Sequence, residues 1–220
     1  IMKILVTGGL GFIGSHTVVE LQNKGFEVLI VDNLYNSSID VLKGIESISG
    51  IAPHYKNIDL RDKASVQALF KEYSDIAGVI HFAASKAVGE SVENPLLYYE
   101  NNIAALVYLL QELQQKDAAS FIFSSSCTVY GQAEKMPITE NAPIQVAMSP
   151  YGNTKQIGEE IIRDTIHANP CYQSIILRYF NPIGSHASGE IGELPNGVPN
   201  NLLPFVTQTA IGLRKQLQVF

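Results

Sequence analysis

Short apolar runs alternate along this chain with longer stretches of helical periodicity. Apolar runs over 2–7, 27–32, 78–83, 120–125 and 174–180 predict strands, and a weaker run over 54–58 predicts another. Several are continuous in Ile, Val and Phe, which suits strands buried on both faces. Between them, apolar positions recurring every three to four residues predict helices near 12–24, 38–48, 62–73, 95–116 and 150–168. This βαβα order predicts an α/β fold with a doubly wound, Rossmann-type parallel sheet, because parallel strands need crossover helices and right-handed crossovers place them on both faces. After Phe180 the texture changes to proline- and glycine-rich loop over 181–201. One more helical stretch covers about 201–215. Leu217-Gln218-Val219-Phe220 then reads as the start of a strand, so a second, smaller domain is expected to begin at 181 and to continue past 220.

Composition narrows the class. A chain of 220 residues with 46% apolar and 16% charged residues can bury a core and is not disordered. Its net charge is −6 and no basic cluster stands out, which argues against nucleic acid as a partner. Cys127 and Cys171 form no CxxC pair, the Met2–Val6 run reads directly as a strand, and no apolar stretch reaches membrane-spanning length. A cytoplasmic protein without a membrane partner is expected. The five histidines show no metal-ligand spacing, and no G-x-S-x-G elbow points to a hydrolase. His81 falls in a buried-strand pattern and reads as a core histidine.

The first strand runs into Thr7-Gly8-Gly9-Leu10-Gly11-Phe12-Ile13-Gly14-Ser15-His16. Gly9, Gly11 and Gly14 satisfy G-x-G-x-x-G, and Gly8, Gly11 and Gly14 satisfy G-x-x-G-x-x-G. Such a loop lets backbone N–H groups approach a pyrophosphate at the positive end of the next helix. Strand 27–32 ends in Asp32, where a carboxylate accepts ribose hydroxyls and repels a 2′-phosphate, so NAD is favoured over NADP. The competing reading of Asp32 is a turn or capping residue. Asp59, also at a strand end, either meets the adenine edge or caps the helix that begins at Arg61. Residues 1–180 are therefore expected to form an NAD-binding domain, with 181–220 starting a substrate-binding one.

Tyr151 and Lys155 stand one helical turn apart and so share a helix face. A phenol is a poor base at neutral pH, and a neighbouring cation is expected to lower its pKa enough to take a proton from an alcohol. Ser126, released at the end of strand 120–125, could hold that alcohol. Ligands in open α/β sheets bind beyond the carboxyl ends of strands, so the glycine loop, Lys86, Ser126 and Tyr151 are expected to converge on one crevice. Plain alternatives exist: Tyr151 as a first-turn aromatic behind the Ser149-Pro150 helix start, and Lys155 as a solvated lysine. The Leu96–Lys116 stretch is amphipathic. Leu97, Ile103, Leu106, Leu109, Leu110 and Leu113 face the core, and Tyr98, Val107 and Tyr108 could meet a second subunit.

Several runs carry a closer resemblance: Val6-Thr7-Gly8-Gly9 through His16, Asp32-Asn33-Leu34, Val79–Ala83, Lys86-Ala87-Val88-Gly89-Glu90-Ser91, Phe123–Gly131, Ser149-Pro150-Tyr151, Leu177-Arg178-Tyr179-Phe180-Asn181-Pro182 and Pro199-Asn200-Asn201-Leu202. In these the whole chain resembles the extended short-chain dehydrogenase/reductases, and within them the UDP-glucose (UDP-galactose) 4-epimerases. The resemblance implies an isomerase that interconverts UDP-glucose and UDP-galactose through a transient 4-keto sugar, with Ser126, Tyr151 and Lys155 catalytic. It implies an NAD site of Gly8, Gly11, Phe12, Ile13, Gly14, Asp32, Asn33, Asn36, Ser37, Asp59, Leu60, Phe82, Ala83, Lys86, Asn101, Ser124, Tyr151, Lys155 and Phe180. It implies a UDP-sugar site of Lys86, Ser126, Tyr151, Asn181, Asn201 and Leu202, and a homodimer. Cys127 stands where the family often has alanine, and family members carry a longer C-terminal portion. The rival enzyme reading, a sugar 4,6-dehydratase, wants an acid pair that is missing from Ser126-Cys127-Thr128. A non-catalytic NAD-binding module is the reading from another class.

Overall fold

The computed structural model describes residues 2–116, 120–194, 196, 198–199 and 201–217. Six strands form one sheet: β1 (Lys3–Thr7), β2 (Glu27–Asp32), β3 (His54–Asn57), β4 (Ile76–His81), β5 (Ser120–Ser124) and β6 (Gln173–Leu177). All pairings are parallel and the order is β3-β2-β1-β4-β5-β6. The order reverses between β1 and β4, which opens a crevice beyond their carboxyl ends. Register aligns those ends: Thr7 stands opposite both Val31 and His81, His81 opposite Phe123, and Ser124 opposite Leu177.

Successive side chains on a strand point to opposite faces. Leu5 therefore joins Leu29, Val79, Phe121 and Phe123 in one buried cluster, while Ile4 and Val6 join Ile30 and Ile80 in another. The first cluster is covered by α3 (Lys63–Glu72), α6 (Ala105–Leu113) and α7 (Pro150–Ala168), the second by α1 (Phe12–Asn23) and α2 (Val41–Ser49). Ile191, well past the expected boundary at 180, is buried in the second cluster. Helix α7 lies close on β5 at Gly158, where a Cβ would fall 2.8 Å from the Phe123 ring.

Local signals set several ends. Ser149 caps α7 by accepting from Gly152 N at 3.1 Å, with Pro150 in the first turn. The cap of α3 is Asp62, which accepts from Ala64 N, and not Asp59. The long helix expected over 95–116 is broken into α5 (Pro95–Tyr99), a π-turn (Glu100–Ala104) and α6, and an unforeseen α4 (Val88–Glu93) precedes it. The wide turn gives Asn101 and Asn102 their reach, and both bond across to Ser85. Tyr98 is core, fully buried with its hydroxyl on Glu90 at 2.6 Å, so it does not belong to an outer face. After β6, a loop leads to α8 (Leu202–Ala210), which stops short of 215. Leu217 is not in a strand, and Gln218, Val219 and Phe220 lie outside the described residues. Among the described residues, no helix is long and apolar enough to cross a membrane.

Candidate active site

A cavity of about 550 Å³ follows the carboxyl edge of the sheet from β3 to the loop after β6. At its floor Gly11 N bonds Gly8 O at 3.1 Å. Gly14 sits where a Cβ would come within 2.2 Å of Gly8 O, so the loop packs this tightly only with glycine there. No side chain caps α1, and Phe12, Ile13 and Gly14 of its first turn line the cavity.

Asp32 combines the two roles considered for it. Its carboxylate accepts from Leu10 N at 3.1 Å, Leu34 N at 3.0 Å and Ser37 Oγ at 2.7 Å, so it organises the turn. A carboxylate offers about four acceptor positions, so these three bonds leave about one more, and Asp32 lines the cavity. Asp59 also lines this end. It holds the Arg61 guanidinium on both oxygens, and that pairing keeps its carboxyl below the usual range. Asn33, Asn36, Ser37 and Leu60 line the same end, and Phe82, Ala83 and Asn101 the middle.

At the other end, consecutive serines point in alternate directions. The Ser124 hydroxyl meets the Tyr179 hydroxyl and lines the cavity, and Ser125 turns inward to Glu159. Ser126 faces the cavity and accepts from Thr128 N at 3.2 Å, and its hydroxyl acts to lower the pKa of the neighbouring Tyr151 phenol. Lys155 is nearly fully buried. Its ammonium donates to Ser124 O at 2.8 Å and lies 5.0 Å from the Phe123 ring centre and 5.8 Å from that of Tyr151.

The electrostatics differ from the expectation. Burial pushes the Tyr151 phenol above its ordinary value; the Ser126 bond opposes this, and Tyr179 and Cys127 add to the rise. Burial also lowers Lys155 to about 8. The ammonium is directed to the Ser124 carbonyl, and sharing a helix face with Tyr151 does not by itself depress the phenol. His81, bonded through Nδ1 to Thr7 Oγ1 at 2.7 Å, is held neutral by burial, which lowers it to about 3.

The NAD dependent epimerase/dehydratase family matches residues 4–210. The chain belongs to this family. Among its relatives, UDP-glucose 4-epimerase of Haemophilus influenzae is 52% identical over the whole of this chain and 64% of its own length. The Bacillus subtilis enzyme of the same name is 49% identical, again with 64% of its length covered. The chain thus spans under two thirds of these relatives. A crystal structure of UDP-glucose 4-epimerase from Bifidobacterium longum with NAD⁺ and UDP superimposes with a TM-score of 0.96 at 46% identity, covering all of this chain and 65% of that one. One from Stenotrophomonas maltophila with NAD and formylated UDP-arabinopyranose gives 0.94 at 46% identity, with the same coverage.

Within this epimerase/dehydratase fold every candidate residue lines the cavity except Leu202, which opens α8 and is 75% exposed. Lys86 and Asn201 meet at Glu193: Lys86 Nζ stands 3.9 Å from its carboxylate, and the Asn201 amide donates to it. Glu193, Tyr179, Arg61 and Ser85 also line the cavity, although no sequence pattern marks them for it. Tyr179 was in view inside the Leu177–Pro182 run, but nothing local marks its hydroxyl as reaching Ser124. Glu193 sits in a loop without periodicity and carried no signal.

Proposed function

We propose that the full-length protein catalyses NAD-dependent 4-epimerisation of UDP-glucose and UDP-galactose through a transient 4-keto sugar. One observation carries this reading: a single cavity joins the glycine loop and Asp32 to Ser126, Tyr151 and Asn181. The names of the relatives support it.

The residues fit NAD. The uncapped α1 terminus supplies free N–H groups for a pyrophosphate. Asp32 keeps an acceptor for a ribose hydroxyl, and Arg61, the cation nearest by chain to that end, is engaged by Asp59. That pairing favours NAD over NADP. When bound, NAD supplies the acceptor and donor for the hydride at the sugar C4. Tyr151 takes the proton of the sugar 4-hydroxyl and returns it, and Ser126 holds the same oxygen in place. Lys155, with a pKa of about 8, stays charged at neutral pH and, together with the positive nicotinamide when NAD is bound, favours the phenolate. Lys86, Asn181 and Asn201 hold the UDP-sugar. Residues from 181 onward begin the substrate-binding part, and Val107 and Tyr108 contribute to a homodimer face.

A coupled assay on the full-length protein tests this. UDP-galactose should be converted to UDP-glucose, and Tyr151→Phe should lower kcat by roughly 10²- to 10⁴-fold while bound NAD is retained. An NAD-loaded protein without turnover, or an unaffected Tyr151→Phe variant, would sink the reading. A 4-keto-6-deoxy product from UDP-glucose would assign a dehydratase instead.

A further inference from the structure

Glu159 takes no part in the chemistry above, yet it is fully buried one helical turn beyond Lys155. Its carboxylate accepts four hydrogen bonds. Ser125 Oγ donates to Oε1 at 2.6 Å and Arg178 Nε at 2.8 Å, and Oε2 accepts from Arg178 Nη2 and Arg163 Nη2, both at 2.6 Å. That fills the acceptor positions of a carboxylate. Burial alone would raise its pKa, but the donors, Arg178 first, hold it below the ordinary value. Arg178 also donates to the Tyr130 hydroxyl at 3.2 Å and stacks on that ring.

The three segments that meet at Glu159 each carry site residues. Ser125 lies between Ser124 and Ser126, Arg178 precedes Tyr179, and Glu159 shares α7 with Tyr151 and Lys155. Tyr179 binds the Ser124 hydroxyl on one side of this junction, and its carbonyl accepts from Cys127 N at 3.1 Å on the other. Just past the end of β5, where Ser125 N bonds Phe123 O at 3.0 Å, Ser125 is anchored inward on Glu159 while its neighbours Ser124 and Ser126 line the cavity. A site of this kind loses rate steeply when a reacting group shifts by an ångström.

We propose that Glu159 is a positioning residue: its carboxylate locks the end of β5, helix α7 and the end of β6 in the register that aims Ser124 and Ser126 into the cavity. This rests on the epimerase reading for its kinetic consequence but not for its structural one. Two variants of the full-length protein test it, Ser125→Ala and Glu159→Gln, with Ile45→Val, a buried change in α2, as the stability control. Both should lower kcat by roughly 10- to 100-fold while KM for the UDP-sugar stays within about twofold. Loosening Ser126 also weakens its lowering effect on the Tyr151 phenol, which faces Lys155 on its own helix, Tyr179 from the loop after β6 and Cys127 from the turn after β5. The acid limb of the pH–rate profile should therefore move upward, which Ile45→Val should not cause. Hydrogen exchange should quicken in 125–130 and 178–181 in Glu159→Gln and stay unchanged across β1 and β2. Wild-type kcat and pH profile in Ser125→Ala, or rate losses that merely follow the melting temperature as in Ile45→Val, would overturn the proposal. If Glu159→Gln does not fold, Ser125→Ala decides. If the wild-type protein interconverts no UDP-sugar, the epimerase reading falls, and exchange in 125–130 still decides the role of Glu159.

Discussion

The Lys155 ammonium, 5.8 Å from the centre of the Tyr151 ring, donates to the Ser124 carbonyl. Spacing of four residues assigns a helix face, but depth in the protein assigns the solvation, and here burial dominates both groups. The consequence for stability has a definite sign. Lys155 titrates near 8 when folded and near its ordinary 10.5 when unfolded, so between those values the unfolded chain binds more protons. Its contribution to stability therefore rises with pH across that window and is least favourable below about 8. Urea unfolding midpoints at about pH 7 and about pH 9.5 should show a rise that Lys155→Met removes, and an equal slope in both proteins would contradict the burial argument. His81 acts at the acid side. Its folded value near 3 lies below 6.5, so its contribution is complete above about 6.5 and is lost as pH falls toward 3.

Helix α7 shows how an element delivers a site. Its start was legible from Ser149-Pro150 because capping is a local matter. Its distance from β5 was not, because that depends on Gly158 meeting Phe123 and Leu106. A Gly158→Ala change adds about 1 kcal/mol of helix propensity. Overpacking against a ring at 2.8 Å costs about 1–3 kcal/mol, so the net effect expected is destabilising. A lower melting temperature together with slower turnover should follow; a higher melting temperature would show that the helix can shift without cost. The break in the 95–116 helix teaches the same lesson. Its apolar repeat continues through the π-turn, and only the bonds of Asn101 and Asn102 to Ser85 and of Asn102 to Thr154 reveal it.

At the scale of the molecule, among the described residues, the two sheet edges differ. The β3 edge carries His54, Lys56 and Asn57, whereas β6 exposes Ile175 at 57% and Leu177 at 38%. Unpaired strands with apolar side chains template association. The 220-residue chain should therefore bind the dye ANS and scatter light on storage, and Ile175→Lys should reduce both; no reduction would mean that other surfaces, such as that around Phe180 and Ile183, dominate.

The amino-acid order alone determined the strand sequence, the glycine loop, the Ser149 cap and the identity of Ser126, Tyr151 and Lys155 as candidates, since each rests on neighbours within about one turn or one strand. Tertiary structure alone decided that Tyr179 and Glu193 enter the cavity while Leu202 stays outside, that Asp62 and not Asp59 caps α3, and that the Tyr151 phenol is raised. Those outcomes depend on desolvation and on bonds between residues far apart in sequence, such as Ser125, Glu159 and Arg178. No local pattern encodes them until the sheet brings their segments together.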